Sequence, residues 1–476
     1  MERKAYAMMM SWKEDPNRKA LLVRGCRQTG KTHLVREFAE ANYESHIYID
    51  LEDRADIRAV FETEDISASA IIDRISFDEP VRLVPGRSAI ILDEIQSCIS
   101  AYSSLKSLVI DGRYDIIASG SLLGVKIDDL QRRTPMGYVN ILDMGPMDFE
   151  EFLWAMGVKK SGTDMLHRCI DNKEHIDDYI CKRTNDLFRR YMVVGGMPAA
   201  VLEYSVKQNY AAVRKILNDI LEVVGEDAER YSKGSQRLRI ESCLRSIPEQ
   251  LADENDKFEY FRIEKRKGGA RLYGTALLWL KRAGLIEYCY NLEEPVAPLT
   301  GRTRRSSFKL YMADTGMLTA MMEDGAAGNI VNRDPYSNNG AVMRNAIGCA
   351  LRSNGYELRF YGKRDSTLEV DFVISIGGKV SAIEVKSGRD KRAKSLRSLS
   401  RTRSVSRLIK VSDGNVFVDE NGIENYPLFG PSFFPRSDGS DIEEMGSMDD
   451  LNARFDEVRG DDAPSDRCHE DKVAGA

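Results

Sequence analysis

The stretch that most constrains this chain is Ala20-Leu-Leu-Val-Arg-Gly-Cys-Arg-Gln-Thr-Gly-Lys-Thr32. A short apolar run, Ala20 to Val23, leads into Gly25-x-x-x-x-Gly30-Lys31-Thr32. The segment His33 to Ala41 follows, with Leu34, Val35 and Phe38 at helical spacing. Strand, glycine-bearing loop and helix in that order specify a phosphate-binding loop. The glycines let the backbone turn so that its N–H groups point inward at an anion. The following helix offers its N-terminal dipole to the same charge. The loop Gly25, Cys26, Arg27, Gln28, Thr29, Gly30, Lys31 and Thr32 is therefore the candidate triphosphate cradle. Lys31 reaches the β- and γ-phosphates, and the Thr32 hydroxyl ligates Mg²⁺.

Two later strands supply the rest of such a site. His46-Ile-Tyr-Ile-Asp-Leu51 alternates as a strand, and residues 53–85 read as helix and loop. Ser88-Ala-Ile-Ile-Leu-Asp-Glu94 reads as a buried parallel strand ending in two acids. Ligands of such sheets sit at the C-terminal strand ends. Asp93 is thereby placed to hold Mg²⁺ through its water shell. Glu94 is placed to orient or deprotonate the attacking water. The strand Tyr114 to Ser121 ends in small polar residues. Ser119 or Ser121 is either a γ-phosphate sensor or part of an ordinary strand–loop junction. Arg132 and Arg133 are either arginine fingers, acting within or between subunits, or surface charge.

Three runs now carry a resemblance: Gly25 to Thr32, Ile90-Ile-Leu-Asp-Glu-Ile-Gln96 and Ile117-Ala-Ser-Gly-Ser121. Together they resemble the prokaryotic AAA-type P-loop ATPases related to archaeal signal-transduction ATPases. Gly145-Pro-Met-Asp-Phe-Glu-Glu-Phe152 resembles the segment closing that family's ATPase core, with Met147 and Asp148 replacing the usual Leu and Ser. Tyr191-Met-Val-Val-Gly-Gly-Met-Pro198 resembles the Gly-x-Pro lid element. The resemblance implies that Pro198 packs against adenine; read by itself, the stretch is a helix break. It also implies that the nucleotide is ATP. Phe308-Lys-Leu-Tyr-Met-Ala-Asp-Thr-Gly316 resembles a further family signature and extends the likeness over most of the chain.

The middle of the chain reads as a helical lid (151–235) and then a winged helix (236–325). Helices are expected over Ile240–Ala252 and Leu272–Ala283. A two-stranded ribbon is expected from Gly284–Tyr290 and Phe308–Met312. Arg302, Arg304 and Arg305 in the connecting loop, and Arg262, Lys265, Arg266, Lys267 and Arg271 before the second helix, are candidate phosphate contacts. The other reading of this element is protein–protein or interdomain docking.

Residues 335–430 hold a second constellation. The helix-like stretch Val342–Asn354 precedes Leu368-Glu-Val-Asp-Phe-Val-Ile374 and Lys379-Val-Ser-Ala-Ile-Glu-Val-Lys386. Residues two apart share a strand face, so Glu384 and Lys386 project together and Asp371 can join them. Two carboxylates beside a lysine suit Mg²⁺-dependent phosphodiester attack; Glu369 is a further candidate ligand or a solvent-facing acid. The pattern resembles the restriction-endonuclease-like fold with its Asp…Glu-x-Lys site. That resemblance implies a helix glutamate in a Gly-Ala-x-x-Glu-Asn pattern, but Gly340-Ala-Val-Met-Arg-Asn345 has Arg344 there. A cation at that position argues against a competent nuclease. The basic run Arg389–Arg407 (Lys391, Arg392, Lys394, Arg397, Arg401, Arg403, Arg407) either tracks a phosphate backbone or is a solvated face.

Composition sets the outer bounds. At 476 residues about three domains are expected. No apolar run approaches membrane-spanning length, which by default gives a cytoplasmic location. The eight cysteines form no C-x-x-C pair, so neither zinc nor a disulfide framework is indicated. The net charge of −6 is uneven. Residues 437–476 carry thirteen Asp/Glu against four Lys/Arg, a net of −9, so the preceding residues carry +3. The tail, 431–476, reads as acidic and disordered.

The expected fold is α/β: a P-loop AAA-type ATPase core (1–150), helical lid, winged helix and restriction-endonuclease-like α/β module. The expected function is an ATP-binding and ATP-hydrolysing switch using Mg²⁺, coupled to a nuclease-like module with DNA as candidate partner. The alternative is a nucleotide-controlled regulator or signalling scaffold, holding DNA or protein on an inactive nuclease frame. An oligomer is compatible with either.

Overall fold

Alternation of side chains along Ala20–Arg24 (β1) sends Leu21 and Val23 to one face and Ala20 and Leu22 to the other, each into its own apolar layer. That two-sided burial is what a central parallel strand requires. In the computed structural model, the described residues are 1–63, 65–121, 137–231, 236–253, 257–263, 269–334, 339–363, 368–386, 393–400 and 404–437. Residues Met1–Pro435 make one compact unit.

β1 lies in a five-stranded parallel sheet with Ser45–Asp50 (β2), Ser88–Asp93 (β3), Asp115–Gly120 (β4) and Val139–Asp143 (β5), in the order β2-β3-β4-β1-β5. The helix Lys31–Asn42 (α1) covers one face with Leu34, Val35, Phe38 and Ala39, beside Met9 and Trp12 of the N-terminal helix Lys4–Glu14. Helices Ala55–Val60, Ala68–Asp78 and Ile99–Asp111 cover the other. Because β4 lies between β1 and β3, the three C-terminal strand ends stand side by side.

Between β5 and Ala252 the regular elements of the described residues are all helices. Asp148, standing where serine is usual, does serine's work. Its carboxylate accepts from Glu151 N at 2.9 Å, and Glu151 Oε2 accepts from Asp148 N at 3.1 Å, so the helix Phe149–Ala155 begins in a capping box. Helices Asp178–Val194 and Pro198–Lys207 are separated by the Gly195-Gly196 break, with Pro198 at the first helical position. Tyr210–Tyr231, Gln236–Ala252 and Ala270–Arg282 follow.

Two further sheets differ from simple expectation. Ile286–Leu292 (β6) and Thr303–Met312 (β7) form the expected antiparallel ribbon. However, β6 also pairs in parallel with Arg359–Gly362 (β8), which pairs with Glu369–Val370 (β9), giving the order β7-β6-β8-β9. Asn291 locks this join: its Nδ2 donates to Gly362 O and its Oδ1 accepts from Gly362 N, both at 3.1 Å. A free ribbon would leave the second edge of β6 unpaired beside buried Ile286, Cys289 and Leu292, so the pairing satisfies both backbone and core. Residues 236–325 are thus not separable from 335–430, and one apolar core runs from Met147 to Phe434. Arg304 and Arg305, expected in the connecting loop, lie on β7 itself. The third sheet has the order β10-β11-β12-β14-β13, from Phe372–Ile376 (β10), Lys379–Val385 (β11), Arg407–Ser412 (β12), Phe417–Val418 (β13) and Glu424–Pro427 (β14). β10 and β11 form an antiparallel hairpin, while β11, β12 and β14 are parallel. The helix Lys394–Leu399 crosses between β11 and β12.

The seven described cysteines are free thiols. Among the described residues no helix is long and apolar enough to cross a membrane. The tail expected to be disordered from 431 is ordered at its start, where Gly430–Phe433 forms a 3-10 turn and Phe433 and Phe434 enter the core; from 438 on it lies outside the described residues.

Candidate functional site

The loop after β1 is held at both ends. At its start, a Cβ on Gly25 would stand 1.9 Å from Met144 O, so only glycine fits under the chain just after β5. At its end, Gly30 (φ +89°) turns the chain into α1 in the left-handed region, where glycine carries no steric penalty. Gln28 is also left-handed (φ +62°). Thr29 Oγ1 donates to Cys26 O at 3.0 Å, closing the turn. Lys31 is 5% exposed, and its Nζ donates to Gly25 O at 3.1 Å and Cys26 O at 2.7 Å. Burial pulls its pKa below the ordinary lysine value. The Arg27 side chain turns away from the loop to Asp227, at 2.8 Å, and Glu52, at 3.8 Å. Cys26 is buried; its thiol is pushed up to about 11 by desolvation, and its flank packs on Gly284.

The acids at the end of β3 meet this loop. Asp93, 2% exposed, accepts Thr32 Oγ1 at 2.7 Å and Tyr48 OH at 2.8 Å on Oδ2. Its Oδ1 accepts from Glu94 N at 2.9 Å and from the Ser119 hydroxyl. The Glu94 backbone is left-handed (φ +48°), and its carboxylate accepts from Ser121 Oγ at 3.0 Å and from the Gln96 amide. The two serines, candidate phosphate sensors or junction residues, sit on the two acids: Ser119 on Asp93 and Ser121 on Glu94. The geometric reason is β4's place between β1 and β3. Arg132 and Arg133 lie outside the described residues.

Several residues that sequence reasoning passed over also frame the loop. Arg3 donates to Thr29 O and Gly145 O, both at 2.8 Å, and pairs with Glu151 at 3.1 Å. Nothing in the sequence signals so distant a clamp. Pro198 lies against Gly30: its Cγ would be 3.7 Å from a Cβ there. The break that carries Pro198 is pinned from two sides. Met147 N donates to Gly196 O at 2.7 Å, and Gly196 N donates to Asp314 Oδ2 at 2.5 Å. Asp314 also caps the helix Thr315–Ala320 through Met317 N at 2.8 Å. The Asp-Thr-Gly of the Phe308–Gly316 signature was the available signal, since aspartate before a short helix is an N-cap.

Asp314 lies at full burial among Tyr191, Cys349 and Cys26, none of them a cation. Desolvation raises its carboxyl to about 6, against backbone N–H donors that lower it. With a folded value above the unfolded one, ionised Asp314 costs stability at neutral pH. That cost is relieved as pH falls through 6 toward 4, and amounts to roughly 3 kcal/mol in all at about 1.4 kcal/mol per unit. The expected result is that the stability gap between wild type and Asp314→Asn shifts in favour of wild type between pH 7 and pH 5, measured by denaturant unfolding. A gap independent of pH would contradict it.

The carboxyl-terminal acids do come together. Asp371, just before β10, accepts Val385 N on Oδ2 at 2.7 Å, which sets it beside Glu384 and Lys386 at the end of β11. Lys386 Nζ lies 2.7 Å from Glu384 Oε1, and Arg344 Nε lies 3.9 Å from Asp371 Oδ1. Each carboxylate thus has its own cation. Desolvation raises the Glu384 carboxyl above its ordinary value. Glu369 is 32% exposed and is held away from the acids. It pairs with the buried Lys309 at 2.6 Å, which excludes it as a ligand here. Among the described residues no three His, Cys, Asp or Glu side chains converge as a metal site. Asn345, beside Arg344 on the helix Gly340–Ser353, ties that helix to β7 through Met312 N at 2.7 Å and Met312 O at 3.2 Å.

The candidate basic contacts divide. Arg262 pairs with Glu259 at 2.9 Å and with Asp253, and Arg304 reaches Glu293 at 3.7 Å. Arg407 is held by Glu424 at 2.7 Å, so it is an internal strut and not part of a basic face. Arg271, Arg302, Arg305, Lys394 and Arg397 are exposed. Lys265, Arg266, Lys267, Arg389, Lys391, Arg392, Arg401 and Arg403 lie outside the described residues.

Comparison with known proteins covers most of this frame. Residues 17–153 match an AAA domain family. Residues 185–327 and 339–429 match two domains of unknown function, DUF8612 and DUF4143. No curated protein matches the chain. Among solved structures, the chain is similar to the Aeropyrum pernix ORC2 protein in its ADPNP–ADP complexes, with 16% identity, 70% of this chain and 94% of that chain covered, and a TM-score of 0.33. The Aeropyrum pernix ORC1 protein in complex with DNA aligns at 14% identity over 70% of this chain and 93% of that chain, with a TM-score of 0.29. A signal transduction ATPase with numerous domains from Pyrococcus horikoshii aligns at 16% identity over 74% of this chain and 45% of that one, with a TM-score of 0.24. Residues 17–153 are thus assigned to a P-loop AAA domain, and the two segments after it to families without an assigned activity.

Proposed function

We propose that the chain is an ATP-hydrolysing switch whose nucleotide site is the loop Gly25–Thr32 with Asp93 and Glu94. The observation that carries this is the contact of the Thr32 hydroxyl with the Asp93 carboxylate at 2.7 Å, with Glu94 next in the chain. A hydroxyl and a carboxylate are hard oxygen donors that fit Mg²⁺. Thr32 and Asp93 would hold the ion, Asp93 through water. Bound there, Mg²⁺ supplies charge neutralisation on the β- and γ-phosphate oxygens. Backbone N–H groups of the loop bind the phosphates, and Lys31 exchanges its two carbonyl partners for phosphate oxygens. Pro198 packs on the adenine in this reading, which its position against Gly30 supports. Glu94 receives a proton from the water that attacks the γ-phosphate. Hydrogen bonds to charged groups contribute about 1.5–3 kcal/mol each. Lys31→Ala is therefore expected to weaken ATP binding by roughly 10–100-fold and abolish turnover, read by equilibrium binding and phosphate release. Wild-type affinity and turnover in that variant would overturn the reading.

For the output end we propose a restriction-endonuclease-like frame, joined to a winged-helix element, that binds without cutting. Pairing of Asp371 with Arg344 and of Glu384 with Lys386 supports this over cleavage, because both carboxylates are already charge-compensated. DNA is the candidate ligand, on exposed Arg271, Arg302, Arg305, Lys394 and Arg397; a protein partner or a second copy is the alternative occupant. Plasmid and linear DNA incubated with the protein, ATP and Mg²⁺ or Mn²⁺ are expected to stay intact. Cleavage that disappears in Lys386→Ala would replace this reading with an ATP-gated nuclease. DNA binding, measured against salt, should weaken steeply as salt rises.

A further inference from the structure

We propose that Gln96 is a positioning residue for hydrolysis: it aims the Glu94 carboxylate, with Ser121 as its second support. The inference rests on Glu94 being the base. Glu94 leaves β3 in a left-handed conformation, φ +48° and ψ 44°, which is uncommon for a residue with a side chain and is kept where surrounding structure enforces it. The enforcement is visible. Oε2 accepts the Gln96 side-chain amide and Oε1 accepts Ser121 Oγ at 3.0 Å. The donors come from two elements: the short 3-10 turn Ile95–Ser97, and the chain just beyond β4. One donor on each oxygen fixes the plane of a carboxylate that would otherwise rotate about its last bond.

Both donors are themselves buried. Gln96 is 1% exposed and Ser121 is 6% exposed. Both are also neutral. An amide and a hydroxyl orient the carboxylate through hydrogen bonds without adding a charge of their own. Each oxygen keeps a further lone pair for the attacking water. No proton passes through the amide. The water proton goes to Glu94 as the γ-phosphoryl bond to ADP breaks. Displacement of a reacting group by about 1 Å costs on the order of 10²-fold in rate, so the aim of this carboxylate matters.

The test uses the full chain with Mg²⁺ and ATP. Gln96→Leu removes the donor and keeps similar bulk. It is expected to lower kcat roughly 10–100-fold with KM for ATP within about two-fold. Added to Glu94→Gln, it should cost almost nothing more, since the two act as a unit. The split between kcat and KM is the readout that a purely structural role would not produce. Ser121→Ala is the independent variant if Gln96→Leu does not fold, with the same split between kcat and KM. Unchanged or raised kcat in Gln96→Leu, or full additivity with Glu94→Gln, would overturn the inference. If Glu94→Gln is inactive and Gln96→Leu is not, only this inference fails. If wild type and Glu94→Gln turn over alike, the role of Glu94 fails and this inference with it.

Discussion

Glu94→Gln is expected to lower ATP turnover by roughly 10²–10⁴-fold, the usual contribution of a general base, while ATP binding stays near wild type. The asymmetry follows from the geometry. The Glu94 carboxylate is held by Ser121 and Gln96, while the Thr32 hydroxyl is held by Asp93. Glutamine has the same length and can accept from Ser121 with its remaining oxygen, while the Gln96 amide can turn its own oxygen to the new donor. The replacement is therefore nearly isosteric, and what it removes is basicity. Single-turnover phosphate release and equilibrium binding of a fluorescent ATP analogue separate the two effects. Turnover within a few-fold of wild type would show that the water is activated elsewhere. Loss of binding in step with turnover would instead place Glu94 on the nucleotide itself.

What the sequence revealed and what it hid divide along one physical line. The loop Gly25–Thr32 and the strand Ser88–Glu94 were legible because each is local: a period-two apolar run, fixed glycine spacing and an acidic strand end. Their meeting through Thr32 and Asp93 follows from the rule that ligands sit at the carboxyl ends of parallel strands. The carboxyl-terminal triplet was legible for the same reason, since Asp371 and Glu384 flank one hairpin and Glu384 and Lys386 share a strand face. The supports were not. Arg3 reaches Thr29 and Gly145 across 26 and 142 residues, and Asp314 reaches Gly196 across 118. Ser119 stays open between phosphate sensor and ordinary junction in the sequence, because its strand end is recognisable but its neighbour is not. Only the order β3-β4-β1 puts Asp93 beside it. The β6–β8 pairing was hidden likewise: a strand's second edge leaves no mark in its own sequence, and the partner lies about 70 residues on. Domain boundaries drawn from motifs therefore cut through a sheet that the chain builds in one piece.

That continuity makes Gly196→Ala the substitution with the largest expected effect on folding. A Cβ on Gly196 would lie 1.9 Å from Met147 O and 2.8 Å from Met147 C and N, all backbone, so no side-chain rotation relieves it. Either the segment after β5 or the break before Pro198 must move. Moving either one stretches Met147 N to Gly196 O, now 2.7 Å, and Gly196 N to Asp314 Oδ2, now 2.5 Å. The second loss leaves a carboxylate at full burial short of a donor that helps hold it. Overpacking costs about 1–3 kcal/mol, and each buried group left unsatisfied about 1–3 kcal/mol more. Together, destabilisation of roughly 3–5 kcal/mol is expected, large enough to threaten a domain of ordinary stability. Gly86→Ala is the control. Gly86 is left-handed, φ +74°, but a Cβ there meets nothing within 4 Å, so only the backbone penalty of about 1–2 kcal/mol should appear. Denaturant midpoints of the two variants measure the difference. Where Gly196→Ala retains a fold, nucleotide affinity should fall with stability, because the same break sets Pro198 against Gly30 of the phosphate loop. Equal, small losses in the two variants would mean that the join between Met147, Gly196 and Asp314 yields easily and does not hold the ATPase core to the rest of the chain.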